Sequence, residues 1–249
     1  MKDVIMKKLL FWMVLIVGIV ALIGSCAKKE ESTTAAAAAV PAGGSGSTAS
    51  GTVSGIDGLT GTFHMSWYGQ EPSGGCIDNS TAVAAFVTLS AVPSGTLSFK
   101  KQMSISSSTT FTESVQYYSD ASCATLTGYF NSGYKTLLVG DSLSGLSGSS
   151  PTKPTTAKKV SWNDDFTALK SNTDATTTWF NSKFGASSLS TLGFVQGTEL
   201  KVTNDPDTKV SIWETGTMSG SSKTYLFTEN SASTYPDNWT SNASVWWQE

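Results

Sequence analysis

Four charged side chains occupy positions at which the alternation of a β-strand would point them toward the protein interior. Lys101 and Glu113 each stand in phase with the apolar residues of their own segment, and so do Asp164 and Glu214. Because side chains alternate between the faces of a strand, regular strands would bring Lys101 and Glu113 inside, roughly diagonal across a hairpin. A charge stays buried only if it is paired or if its cavity holds water. The pattern predicts a polar interior, unless a β-bulge turns some of these side chains to solvent or they lie at the mouth.

A second motif that could carry chemistry is Gly-Asp-Ser-Leu at 140–143, which resembles the nucleophile block of GDSL-type esterases. Those enzymes pair the serine with a histidine further along an α/β domain, and a serine without a base is a poor nucleophile. Here the single histidine, His64, precedes Ser142, and no alternating helices follow the block. We interpret the block as a strand end with a polar turn, and we do not expect the protein to be an enzyme.

Two acidic pairs, Asp164 with Asp165 and Asp205 with Asp207, raise the question of a calcium site or an acid–base pair. An EF-hand loop carries carboxylates at every second position and closes on a glutamate, and neither segment has this pattern. Aspartates that form turns explain both pairs. A pair of catalytic carboxylates from distant strands could not be recognised from sequence spacing. We expect no metal and no other cofactor.

The cysteines divide into one near the N-terminus, Cys26, and two in the body of the chain, Cys76 and Cys123. Two cysteines in an exported domain most simply form a disulfide, because the compartment is oxidising. The bridge would stabilise the fold by about 4 kcal/mol in the chain-entropy model. The alternative is two free thiols or a metal-binding pair, for which further ligands are missing.

Composition argues against several classes of function. The 249-residue chain has a formal net charge of −3, one histidine and no arginine, and from residue 57 onward it has 11 lysines against 16 acidic residues. Nucleic-acid binding would want a basic face, preferably with arginine. Most histidine-dependent catalytic or metal sites lack their components. Residues 57–249 suffice for one domain with its own core.

Short alternating segments between Gly, Ser, Asn and Asp clusters indicate that this domain is all-β. Mostly consecutive strands favour an antiparallel up-and-down barrel of eight to ten strands. Residues 174–185 break the alternation with aromatic residues at helical spacing and with Asp174 and Gly185 as candidate caps, which predicts one short helix. The predicted strands lie near 63–67 and at 97–105, 111–117, 125–131, 134–143, 157–169, 198–203, 209–215, 223–228 and 243–248.

Four loose motifs are Gly61-Thr62-Phe63 with Trp67, the hairpin 118–123, the segment 134–142, and residues 235–239 before 244–246. Together they resemble the lipocalin-like (calycin-type) domains of bacterial secreted lipoproteins. The resemblance implies a barrel that encloses a small apolar or amphipathic ligand. Trp67, Tyr117 and Trp162 would be aromatic walls, and Lys101 and Glu113 orienting groups. The alternative is a structural or protein-interaction module, adhesin-like, with a filled barrel; the oligomeric state stays open.

Residues 1–26 have the zones of a signal peptide: early lysines, an apolar run over 9–23, and the small residues before Cys26. That run is shorter than the roughly 20 residues of a membrane span. Ile-Gly-Ser-Cys at 23–26 resembles the lipobox of bacterial lipoproteins, which implies acylation of Cys26 and membrane anchoring; the alternative is an anchoring helix with an incidental cysteine. Residues 27–56 predict a flexible linker. We expect a cell-envelope location, at the outer rather than the inner membrane.

Overall fold

The computed structural model describes residues 56–66, 71–78, 80–148, 153–218, 221–241 and 243–248. The predicted signal peptide with Cys26, nearly all of the predicted linker, and Trp67 lie outside these residues, so they stay predictions. Within the described ranges, no helix has the length and apolar character needed to cross a membrane.

Nine strands and three short helices make up the described fold. The helices are α1 (Ser80–Thr88), α2 (Asp174–Phe184) and α3 (Ala186–Thr191), with a single 3-10 turn at Ser73–Gly75. The strands are β1 (Gly61–Met65), β2 (Ser98–Ser107), β3 (Thr110–Tyr118), β4 (Leu126–Ser144), β5 (Thr156–Ser171), β6 (Leu200–Thr203), β7 (Thr208–Gly216), β8 (Thr224–Thr228) and β9 (Ser244–Gln248).

The strands close into a ring. Neighbours in the ring pair antiparallel in chain order from β1 to β5, then through β7, β8 and β9, and β9 returns to pair with β1. The short β6 pairs with β5 beside the stretch that pairs with β7. The protein is therefore a closed eight-stranded antiparallel barrel with one extra strand, which confirms the predicted all-β barrel. The predicted segments 125–131 and 134–143 are one long strand, β4.

The pairing is strongly staggered around the ring. Followed from His64 through the paired residues of β2, β3 and β4, the ladder arrives at Ala168, near the C-terminal end of β5. Followed from His64 in the other direction, through the paired residues of β9, β8 and β7, it arrives beyond Lys158, near the N-terminal end of β5. A stagger of this kind tilts the strands against the barrel axis, and eight tilted strands leave room for packed side chains or one small ligand.

Two apolar clusters lie on the two sides of the barrel wall. The inner cluster fills much of the barrel, and the outer one lies under the loops that cover β7, β8 and β9. Trp246 belongs to the inner cluster and Trp247 to the outer one, so these neighbours face opposite sides as strand alternation requires. The described residues thus contain both a closed hydrogen-bonded ladder and their own hydrophobic cores.

The helices cover one end of the barrel. The predicted helix is α2; it ends at Gly185, as expected, where φ is +85°. Its N-cap is Thr173 rather than Asp174, because the Thr173 side chain accepts the Thr176 backbone N–H. Neither α1 nor α3 was predicted from the sequence. We call this end the helical end, and the opposite end, with the β2–β3 turn, the hairpin end.

A β-bulge in β5 changes which of its side chains face the barrel interior, compared with the prediction from regular alternation. Gly133 of β4 pairs with Phe166, but the next residue, Tyr134, pairs with Asp164, so Asp165 is an extra residue in β5. Asp164 therefore faces inward like Trp162, whereas Phe166 and Ala168, which regular alternation would place on the same face as Asp164, face outward. The Phe166 ring covers Gly133.

Candidate ligand site in the barrel interior

Five polar side chains form a band across the inner face of four consecutive strands. Lys101 on β2 lies diagonal to Glu113 on β3, Glu113 pairs with Ser132 on β4, and Tyr134 on β4 pairs with Asp164 on β5. We call these five residues the inner polar band. Lys101, Glu113 and Asp164 thus face inward, as regular alternation predicts.

The same expectation is wrong for Glu214. Glu214 pairs with Phe227 of the outer cluster, and its carboxylate accepts hydrogen bonds from the Thr156 hydroxyl at 3.2 Å and the Thr215 backbone N–H at 3.0 Å. The residue is in phase with Ile212, as read from the sequence, but that face of β7 is the outer one. Trp213 carries the inner face of this strand.

Lys101 lies against a fixed aromatic ring. Its Nζ is 5.1 Å from the centre of the Trp246 ring, which is cation–π distance. The Trp246 Nε1–H donates to the Thr228 hydroxyl at 2.9 Å, so a hydrogen bond orients the ring. Burial lowers the pKa of Lys101, and the nearby Glu113 carboxylate partly opposes this effect.

Glu113 and Lys101 influence each other without forming an ion pair. Among the described residues, no ion pair joins Lys101 to Glu113, whereas Lys135, Lys209 and Lys223 each lie within ion-pair distance of a carboxylate. Burial raises the pKa of Glu113, and Lys101 counteracts this only in part. Two opposite charges therefore face the same interior with a gap between them.

Tyr134 and Asp164 extend the polar band. The Tyr134 ring stacks on Phe111 with centroids 4.5 Å apart. Burial raises the pKa of Tyr134 well above its ordinary value, and the Glu113 and Asp164 carboxylates add to this, while a hydrogen bond with Ser132 acts in the opposite direction. Asp164 is 3% exposed, and burial raises its pKa to about 6, with Lys209 opposing the shift and Asp207 adding to it.

Free space remains beside the polar band. Lys101, Glu113, Val115 and Tyr134 all point inward, yet each stays partly exposed. Other inward-facing side chains of β2 and β3 are almost inaccessible; examples are Phe99, Met103, Phe111 and Tyr117, at 5%, 1%, 1% and 1% exposed. An inward side chain that a water molecule can still touch borders a cavity, so the interior is unfilled at the level of the band.

Aromatic rings close the interior on the side of the hairpin end. Phe111, Trp162 and Trp213 lie edge-to-face or tilted, with centroids 5.2 to 5.5 Å apart. We call these three residues the aromatic floor. The buried Trp162 Nε1–H has no hydrogen-bond partner, which leaves one donor unused in this layer.

The helices close the interior on the other side. Trp179 of α2 lies edge-on to Tyr117, Phe184 of α2 stacks on Phe130, and Phe86 of α1 meets Phe99 edge-on, at centroid distances of 5.4, 5.7 and 5.8 Å. The Trp179 Nε1–H donates to the Ser90 carbonyl at 2.9 Å and so links α2 to the turn after α1. We call this layer the helical roof.

The structure separates the predicted site residues into different layers. Lys101 and Glu113 border the free space, Trp162 lies in the aromatic floor, and Tyr117 is buried under the helical roof; the position of Trp67 lies outside the described residues. Sequence reasoning did not single out Tyr134, Ser132 or Trp246 as site residues. Tyr134 could have been found, had β4 been read as one strand with Phe130 and Tyr134 in phase.

The predicted disulfide between Cys76 and Cys123 is present, with an S–S distance of 2.07 Å. It joins the segment before α1 to the β3–β4 turn, both at the helical end. Because Ile77 also forms an isolated bridge with Phe99 of β2, the segment that leads into the helical roof is held at two adjacent points.

The other residues considered as catalytic or metal-binding candidates do not lie together in the structure. Ser142 is exposed on β4, while His64 lies on the outer face of β1, 8% exposed, near Gln102 and with its ring 4.9 Å from that of Trp247. His64 is therefore buried, because Trp247 and Gly75 cover it. Asp207 pairs with Lys209 at the surface, and the described ranges contain no group of three or more His, Cys, Asp or Glu that could hold a metal.

A pocket of about 220 Å³ lies at the hairpin end, where residues 56–59 pass the β2–β3 turn and residues 137–139. Its lining is mostly apolar and contains no residue of the inner polar band. Ile56, Ile105 and Leu137 of its lining belong to the inner cluster.

These features define the class of structure: a closed antiparallel barrel with a helical roof, an aromatic floor and a partly polar, partly open interior. Searches against protein-family models and against curated protein sequences find no match for the chain.

Proposed function

We propose that this protein is an exported, lipid-anchored, lipocalin-like barrel that binds a small amphipathic molecule in its interior without catalysing a reaction. The observation that carries the proposal is the free space beside the inner polar band, enclosed between the aromatic floor and the helical roof. Small-molecule sites commonly combine apolar walls with a few convergent polar groups in this way.

The energetic argument concerns Lys101 and Glu113. Burying two charges costs several kcal/mol each, and mutual attraction offsets this only when their geometry is close. The two groups do not reach ion-pair distance, so water or a polar ligand group between them would stabilise both. The apolar part of such a ligand would contact Val115 and Met65.

The positions of the chain ends are compatible with anchoring through Cys26. The first described residue, Ile56, lines the pocket at the hairpin end. At the C-terminal end, the Gln248 side chain donates to the Thr60 carbonyl at 3.4 Å. A lipid-bearing linker that joins the barrel here would leave the helical end facing away from the bilayer.

The test of this proposal is to fill the free space with a bulky side chain and to measure ligand binding. Val115→Trp adds a large ring to the inner face of β3, whereas Ser114→Trp adds the same ring to the outer face of the same strand. Residues 51–249 would be titrated with the fluorescent apolar probe N-phenyl-1-naphthylamine, with thermal unfolding as the folding control. We expect the wild type and Ser114→Trp to bind the probe and Val115→Trp to lose at least tenfold in affinity.

Two outcomes would overturn the proposal. If the wild type does not bind the probe and no lipid or metabolite co-purifies with the full chain from its own membrane in native mass spectrometry, the barrel has no ligand, which favours the interaction-module alternative. If the folded Val115→Trp variant binds like the wild type, binding does not occur in the barrel interior and the proposed site is wrong.

A further inference from the structure

Lys101 and Glu113 also constrain the polar end of a ligand in this site. The two side chains come from adjacent strands, lie diagonal to each other and border the same free space. They affect each other electrostatically, but Lys101 directs its ammonium group to the Trp246 ring rather than to the Glu113 carboxylate. Each charge is thus only partly compensated by the protein.

A singly charged ligand would satisfy only half of this arrangement. An anionic group near Lys101 would also approach Glu113, and a cationic group near Glu113 would approach Lys101. In a low-dielectric interior each such approach costs energy, because like charges repel strongly there. A group that carries both charges can place each one against its opposite.

The surroundings of the pair separate a polar side from an apolar side. Tyr134 and Ser132 lie next to Glu113 on β4, which adds hydroxyl groups on that side. Beside Lys101 the neighbours are apolar: Val115 pairs with it directly, and Met65 pairs with Trp246 across β1 and β9. An apolar tail would therefore extend over the Met65 side while its head group spans the two charges.

We infer that the ligand of the barrel carries a zwitterionic head group, with its anionic part at Lys101, its cationic part at Glu113 and an apolar tail along Met65 and Val115. This inference rests on the proposed ligand-binding function and adds the class of ligand to it. A phospholipid-like headgroup and a free N-alkylated amino acid share this chemistry.

The experiment compares ligands that differ only in their head group. Dodecylphosphocholine, dodecyltrimethylammonium, dodecanoate and dodecanol share one tail, and their affinities for residues 51–249 would be measured below their micelle concentrations by displacement of N-phenyl-1-naphthylamine. The phosphate can accept a charge-assisted hydrogen bond from Lys101, and the quaternary ammonium, which has no N–H, is attracted to Glu113 by charge alone. We expect dodecylphosphocholine to bind at least tenfold tighter than either singly charged ligand.

Two variants test the assignment of each charge. Lys101→Met should abolish the advantage of the zwitterion over dodecyltrimethylammonium, and Glu113→Gln should abolish its advantage over dodecanoate. Lys100→Met is the matched control, because Lys100 precedes Lys101 on β2 and faces the other side of the strand. Dodecanol affinity reports the fold of the site in every variant. To separate the two sources, dodecylphosphocholine would be compared with N-dodecylglycine.

The outcomes distinguish this inference from the function on which it rests. If all four ligands bind equally, or if dodecanoate or dodecyltrimethylammonium binds best, the head-group inference is wrong and ligand binding stands. If none of them binds, including dodecanol, the proposed function itself fails. If Lys100→Met changes the preference as much as Lys101→Met, the charge at Lys101 is not what selects the head group.

Discussion

Replacement of Asp164 by asparagine should stabilise the protein at neutral pH. Asp164 points into the barrel and is 3% exposed, and loss of solvation raises its pKa from 3.8 to about 6. The folded state therefore binds a proton at this carboxyl more tightly than the unfolded state. Asparagine has nearly the same shape and no charge, so Asp164→Asn removes the cost of the buried carboxylate and leaves the β5 backbone unchanged.

The magnitude and its pH window follow from the pKa shift. Below about pH 3.8 the carboxyl is protonated in both states, and it costs nothing. As pH rises from 3.8 to about 6, the unfolded state loses its proton first, so the free energy of unfolding of the wild type falls across this window. About two pKa units at 1.36 kcal/mol each give about 3 kcal/mol at pH 7.5. In a barrel of this size that is a Tm difference of about 6 to 12 °C.

The assay is urea unfolding of the wild type and Asp164→Asn at several pH values between 3.5 and 8, read as the difference between the two proteins. Asp165→Asn is the control, because its partly exposed ion pair with Lys135 is worth at most about 1 kcal/mol and its loss should destabilise. A difference between wild type and Asp164→Asn that does not change with pH would refute the buried-carboxylate argument. A destabilised Asp164→Asn at pH 7.5 would refute it as well.

Two further predictions concern the cysteines. Replacing both Cys76 and Cys123 by serine should lower the free energy of unfolding by about 4 kcal/mol and the Tm by about 10 °C, because the bridge closes a loop of 47 residues in sequence separation; a reductant should act alike on the wild type, and a Tm change below about 2 °C would contradict the prediction. Cys26→Ala should move the protein from the membrane to the soluble fraction in cell fractionation, whereas continued membrane association would show that Cys26 is not the anchor.

Strand alternation was sufficient to predict the barrel, because each strand has one face against a core. Lys101 faces inward with Met103, and Glu113 faces inward with Phe111, as predicted, because β2 and β3 pair with regular register from Ser98 to Ile105. The hairpin between them is local, so its geometry is contained in a short stretch of sequence. The same holds for α2, whose end at Gly185 depends on local backbone conformation.

Features that depend on distant parts of the chain could not be predicted in this way. α1 was not predicted, because its burial comes from contact with the barrel end, such as that of Phe86 with Phe99. Glu214 was placed on the wrong face because periodicity groups residues by face without saying which face is inside. Because of the outer cluster around Phe227, both faces of β7 and β8 are apolar, so the polarity of the residues does not indicate which face points into the barrel.

The bulge at Asp165 connects these errors to the proposed site. In a regular β5, the strand that carries Trp162 inward would also carry Phe166 inward, next to Tyr134. The extra residue instead turns Phe166 outward over Gly133, where a Cβ atom would come within 2.1 Å of the ring, and it puts Thr167 opposite Ser132 on the inner face. A large apolar ring is thereby exchanged for a small polar side chain beside the inner polar band. The free space and the polarity of the interior thus have a common origin in one inserted residue, which alternation alone does not reveal.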